Sequence, residues 1–334
     1  MKAHSSDYPA RVGFRTAQKT LERLDWPRVL EQLAGFAQTP AGRRHFSEGL
    51  SRDAGNGPPI FEDALHPVRA RLRETAEARA LRNAALPAPL GGVGEIEETL
   101  ARAAKGGVLR ADDLRTLAAT LAALDAVRRH VSRHGAQAPR LAEIAESIGD
   151  HGAVVAEIGA CIDASGEILD AASPALAAAR RESVRLASEI EERIAAYLRD
   201  PDTVARLSDA YFTVRNDRFV LPVRADARSR VRGIVHGASK TGTTLFVEPE
   251  ALVDLNNQRK RAEIDIEQET GRVLLRLSRR VAAEASAVAP GLRAVAAIDR
   301  AFARGRYAEA LDATPPEVAD EGVVRLPQLR HPLL

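Results

Sequence analysis

The chain has 334 residues, a formal net charge of +2, 45% hydrophobic and 4% aromatic residues and a single cysteine. That length supports one large or two to three smaller units with a real core, while one cysteine excludes an internal disulfide or a cysteine zinc site. The near-neutral balance excludes a nucleic-acid binder acting through whole-chain charge, so any basic surface must be local. No run of 18 apolar residues and no signal-peptide core occur, and a soluble cytoplasmic chain without a membrane segment is expected.

Residues 1–19 are polar and aperiodic and are expected to form a disordered tail. Asp25, Trp26 and Pro27 form a helix start, followed by Val29, Leu30, Leu33 and Phe36 on one face, and Thr39-Pro40 repeats the signal. A loop at 55–59 precedes a helical pattern over 61–81, with Leu65, Val68, Leu72, Ala76 and Ala80 in step. After a break at 87–92, Ile96 and Leu100 mark a short helix, and beyond the Gly106-Gly107 turn Leu114, Leu117, Leu121, Leu124, Val127 and Val131 mark a long one. Shorter helices are expected at 140–148 and 152–163, the second holding Cys161 among Val155, Ile158 and Ile162, the setting of a core thiol rather than a nucleophile. No fixed repeat and no metal-ligand spacing occur, so this part reads as an irregular all-α unit.

At Ser173-Pro174 the pattern becomes a narrow stripe: Leu176, Ala179, Ser183, Leu186, Ile190 and Ile194. A second stripe, Leu255, Ala262, Ile266, Val273, Leu277 and Val281, runs through 252–288 without proline. A helix that long spans about 55 Å, and a narrow stripe wants one partner, so two long antiparallel helices are expected. Two ordinary helices in a larger bundle are the plainer alternative. Between them lies the one stretch with strand chemistry, 211–249. Segments 211–215 and 218–224 alternate around Asn216-Asp217, a two-residue hairpin turn, and 233–236 and 243–247 read as two more strands. Phe219, Leu221, Val223, Ile234, Leu245 and Val247 would fill a miniature core. The fold class is therefore mainly α, with two long helices carrying a small antiparallel β tip.

The tip concentrates charge. Over 215–240, Arg215, Arg218, Arg224, Arg228, Arg230, Arg232 and Lys240 stand against Asp217 and Asp226, seven cations to two anions for a net of +5, more than the whole chain carries. Such a patch suits contact with phosphates, read by shape rather than by base edges, and those seven cations are the candidate nucleic-acid contacts. An arginine-rich solvated turn is the bland alternative. The 237–244 loop, GASKTGTT, has the glycine spacing of a phosphate-binding loop, but Thr243 stands where the lysine belongs and a strand follows instead of a helix. No catalytic set and no cofactor site is found in the chain.

The stretch RNDRFVLPVRADARSRVRGIVHGASKTGTTLFVEPEALVDLNNQ resembles the signature region of the bacterial MutS paralogues of the second type, the MutS-two family. TLERLDWPRVLEQLAGFAQT, AAKGGVL, SGEILDAASPAL and GVVRLPQLRHPLL agree in order, so the resemblance covers the chain from about residue 20 onward. It implies a helical core domain over 20–170 and 290–334, lever helices over 174–208 and 250–289, and a β clamp over 209–249 that grips nucleic acid. It further implies a homodimer, with branched or double-stranded DNA, the ribosome and its rRNA as partners, and roles in suppressing homologous recombination and in sensing or splitting collided ribosomes. An ATPase using ATP and Mg and an endonuclease domain would follow beyond this chain, which reads as an N-terminal fragment. Two departures are small: Gly237 replaces an expected acid, and Arg110 an expected capping serine. The competing reading is a structural coiled-coil arm whose tip binds protein.

Overall fold

A computed structural model describes residues 18–49, 60–62, 64–319 and 324–334. The tail expected over 1–19 lies outside them except for its last two residues, which begin α1 (Gln18–Arg23), and so does the loop expected at 55–59. The described chain is mainly helical, with one four-stranded antiparallel sheet, and it divides into two compact units, 160–277 and the described residues on either side of that span.

In the first unit α2 (Trp26–Phe36) starts behind Asp25, which adopts a left-handed φ of 47° and makes no side-chain cap, so of the expected start signal only Pro27 in the first turn remains. Val29, Leu30 and Leu33 pack with Phe46 of α3 (Pro40–Glu48). The Thr39 hydroxyl accepts from the Gly42 amide at 3.0 Å, as an N-cap should. Asp299, fully buried, accepts from the Thr39 amide (2.7 Å) and the Thr39 hydroxyl (2.8 Å), answering donors that a helix start leaves orphaned. Gly42 is required there, because a Cβ would lie 2.3 Å from Asp299 Oδ2.

The next helices are α4 (Leu65–Asn83), α5 (Glu97–Ala104), α6 (Ala111–Arg133), α7 (Pro139–Ala145) and α8 (Gly152–Cys161). All six apolar residues read as the stripe of α6 are buried. Arg110 provides no side-chain cap; instead Asp113 accepts from the Arg110 amide at 3.2 Å. Buried Glu77 of α4 accepts from the amides of Arg140 (3.2 Å) and Leu141 (2.9 Å), placing a carboxylate at the positive end of α7.

The second unit holds α9 (Pro174–Arg199), the short α10 (Pro201–Val204), the strands β1 (Thr213–Arg215), β2 (Arg218–Arg224), β3 (Gly233–Ala238) and β4 (Thr244–Pro249), and the first part of α11 (Glu250–Ala310). Ser173 caps α9 and also donates to Glu269 (3.1 Å), while Arg193 donates to the Ala251 carbonyl (3.3 Å). Residues 20 apart on α9 thus meet residues 18 apart on α11 in reverse order, so these stretches lie side by side and antiparallel. The sheet order is β1-β2-β4-β3, and Asn216 and Asp217, at φ 52° and 61°, form the tight turn joining β1 to β2.

Three expectations need correction. Ile234, assigned to the miniature core, is 48% exposed, because β3 is an edge strand and its register shifts between Val235 and Gly237. The core under the sheet is not miniature either: Phe219, Leu221, Val223 and Val247 pack with Leu186, Ile190 and Ile194 of α9 and with Leu252 and Leu255 of α11. The returning helix, expected to end at 288 or 289, runs through Pro290 to Ala310. Proline removes one ladder hydrogen bond and crowds the preceding turn, but Val288, Val295 and Ile298 on either side are fully buried and hold the helix together. α11 also contains an 18-residue stretch of mean hydropathy 1.4, long and apolar enough to cross a membrane by length and composition. Val295, Ile298 and Phe302 are nevertheless buried in the core of their own unit, as in the central helix of a packed domain.

Candidate nucleic-acid interface

The seven candidate cations all lie on the sheet and its connections, but their electrostatic states differ. β2 carries Arg218 toward Glu248 of β4, which is 0% exposed. Glu248 accepts from Arg218 (3.0 Å) and from Asn256 of α11 (2.8 Å), and pairs with His236 of β3 at 2.6 Å. Asn256 in turn accepts from the Phe219 amide at 3.1 Å. This network ties β2, β3, β4 and α11 together, and it consumes the Arg218 charge. Gly233 is needed beside it, since a Cβ there would stand 2.0 Å from the Glu248 carbonyl oxygen.

Arg224 donates to Asp226 at 2.5 Å, and that hydrogen bond holds the Asp226 carboxyl below the ordinary carboxylate range. Arg228 donates to the carbonyls of Val231 (2.6 Å) and Gly233 (2.8 Å), bracing the 3₁₀ turn Ala225–Arg230. Its charge meets no carboxylate among the described residues, but its guanidinium has a structural task. Asp217 is held below its usual range by Lys260, which donates to it at 2.6 Å and pins the hairpin turn to α11.

Arg215, Arg230, Arg232 and Lys240 remain. All four are exposed, and none forms an ion pair with a described residue. Arg215 lies over the Phe246 ring, 4.5 Å from its centroid, which orders the side chain without neutralising it. Arg230 and Arg232 line a cleft of about 440 Å³ together with Arg206, whose guanidinium donates to the Arg230 carbonyl at 3.3 Å. Three arginines face one acid there, Glu250. Arg206 was missed by the sequence reading because it sits just past α10, outside the strand-like stretch. The Leu207–Val223 bridge and the bond from the Arg224 amide to the Arg206 carbonyl (2.9 Å) bring it onto the sheet.

The glycine loop does not suit a nucleotide. The Gly242 amide bonds the Ser239 carbonyl (2.9 Å), the Ser239 amide bonds the Thr244 carbonyl (2.9 Å), and β4 follows directly, so no row of amides at a helix start is presented. Among the described residues no three His, Cys, Asp or Glu side chains cluster as a metal site would need.

No family model matches the sequence. Among curated proteins, the chain is 35% identical over 320 residues to the endonuclease MutS2 of Bacillus velezensis, covering 95% of this chain and 40% of the relative. The endonuclease MutS2 of an Anaeromyxobacter species is 38% identical over 326 residues (95% and 39%), and the putative endonuclease MutS2 of Bacillus subtilis is 34% identical over 320 residues (95% and 40%). The chain therefore spans about two fifths of the length of the curated relatives it matches, and over that span it belongs to the MutS2 family.

Proposed function

We propose that this chain is the nucleic-acid-gripping region of a MutS-like protein, with the sheet as a clamp and α9 and α11 as the levers that carry it. The observation that supports this reading is the set of exposed, carboxylate-free cations Arg215, Arg230, Arg232 and Lys240 on one small sheet. Cations without an internal partner release counterions from a phosphate backbone when they bind it, and no array of base-reading side chains accompanies them. In this reading the partner is branched or double-stranded DNA or the rRNA of a ribosome, the setting is the cytoplasm, and two copies close around the strand as a homodimer. The chain supplies the grip. ATP hydrolysis with Mg and nucleic-acid cleavage belong to the remaining length of the relatives, and suppression of recombination and rescue of collided ribosomes are the tasks that such a grip would serve.

The test replaces Arg230, Arg232 and Lys240 by glutamate together and leaves Arg218, Arg224 and Arg228 in place. Affinity for a four-way DNA junction should fall by at least roughly a hundred-fold at low salt, because three phosphate contacts become repulsions, with the thermal midpoint little changed. Unchanged affinity would refute the assignment. A second reading, a structural arm whose tip docks on protein, is favoured by one observation: Tyr211, Phe212 and Val214 at one edge of the sheet and Ile234 and Val235 at the other are exposed. Substituting those residues would then abolish partner binding, and the charge reversal would not.

A further inference from the structure

The first unit contains a cavity of about 450 Å³ that the basic sheet does not share. Its walls are mostly apolar and include the rings of Trp26 and Phe61, 5.3 Å apart and inclined at 31°. Set into this surface are three guanidiniums, those of Arg71, Arg300 and Arg304.

Two of the three are answered. Glu74, 1% exposed, accepts from Arg71 at 2.9 Å and from Arg304 at 3.2 Å, and Arg71 also donates to Glu62 at 3.0 Å. Arg300 is not: it is only 8% exposed, it lines the cavity, and it makes no hydrogen bond or ion pair with a described residue. Burial, with Arg304 and Arg71 nearby, pushes it down to about 10, so it stays charged at neutral pH. A second lining residue carries an unanswered donor, for the indole Nε1 of Trp26 is buried without a partner among the described residues. His45 adds no charge, since burial and the charges of Arg300, Arg304 and Arg71 lower it to about 3. Among the described residues, three guanidiniums against the two carboxylates that answer them, Glu62 and Glu74, leave one positive charge, and apart from His45 and Thr75 the other lining residues are apolar or aromatic.

We propose that this cavity binds a small apolar organic monoanion, its acid head on the Arg300 guanidinium and its aryl or branched-alkyl body against Trp26 and Phe61. A dianionic phosphate exceeds the single uncompensated charge, a cation is repelled, and a neutral body leaves Arg300 unanswered. This site is independent of the nucleic-acid reading and stands or falls separately from it.

Trp26 is the only tryptophan of the chain, so energy transfer from it to bound 1-anilinonaphthalene-8-sulfonate reports occupancy. The 334-residue chain should show saturable one-site quenching by that probe. N-phenyl-1-naphthylamine, the same body without the sulfonate, should bind at least roughly ten-fold more weakly, the worth of one charge-assisted contact. Arg300→Met should erase the preference for the anion, and Arg300→Lys should keep part of it. Equal binding of the two probes to the unaltered chain, quenching that never saturates, or an anion preference that survives Arg300→Met would each overturn the proposal. Should Arg300→Met fail to fold by its thermal melt, the two-probe comparison on the unaltered chain decides alone.

Discussion

Glu248 withdraws Arg218 from the cations of the sheet that can meet a partner. Fully buried, it takes hydrogen bonds from Arg218 and Asn256 and pairs with His236, and only a carboxylate satisfies so many donors at once. Glu248→Leu leaves a buried amide and a half-buried guanidinium without an acceptor. It should cost about 3 kcal/mol in urea denaturation, the usual result of removing one member of a buried pair; an unchanged midpoint would show that the network is not what joins the strands. His45 sets a different dependence. Its folded value of about 3 lies below its ordinary 6.5, so between those values the unfolded chain binds the extra proton. Stability should therefore fall as pH drops from 6.5 toward 3, and His45→Gln should flatten that part of the profile measured by thermal midpoint. The positions of these side chains were legible in the sequence and their charge states were not. Arg218 and Arg230 look alike in a row of arginines. What separates them is a glutamate 30 residues downstream of Arg218, which only the β2–β4 register brings alongside.

At the scale of elements, alternation and turn chemistry located the strands. The Asn216-Asp217 turn was readable because few residues accept two consecutive left-handed conformations. Strand order was not readable, and the edge position of β3 follows from it, which is why Ile234 faces solvent. The full length of α11 escaped the sequence for the opposite reason: Pro290 is a local stop signal that packing on both sides overrides. The conflict predicts that Pro290→Ala restores a helix hydrogen bond and raises stability by about 1–3 kcal/mol in urea denaturation. A loss of stability instead would mean that the proline ring itself fills space in the core.

For the whole molecule, the family and the mainly helical class were legible because long stripes and one distinctive β stretch survive in the sequence. Arg206 was not, since it reaches the cleft only through the Leu207–Val223 bridge. The net charge of +2 conceals a sheet on which four exposed cations without an ion pair to a described residue, Arg215, Arg230, Arg232 and Lys240, lie together, and the functional reading rests on them. Binding of a fluorescent DNA junction by the unaltered chain and by the Arg230, Arg232 and Lys240 reversal, titrated against salt, tests that reading most directly. Plotted as log affinity against log salt, the unaltered chain should be steeper by about 2.7, the slope for three phosphates. Parallel lines for the two proteins would contradict the account.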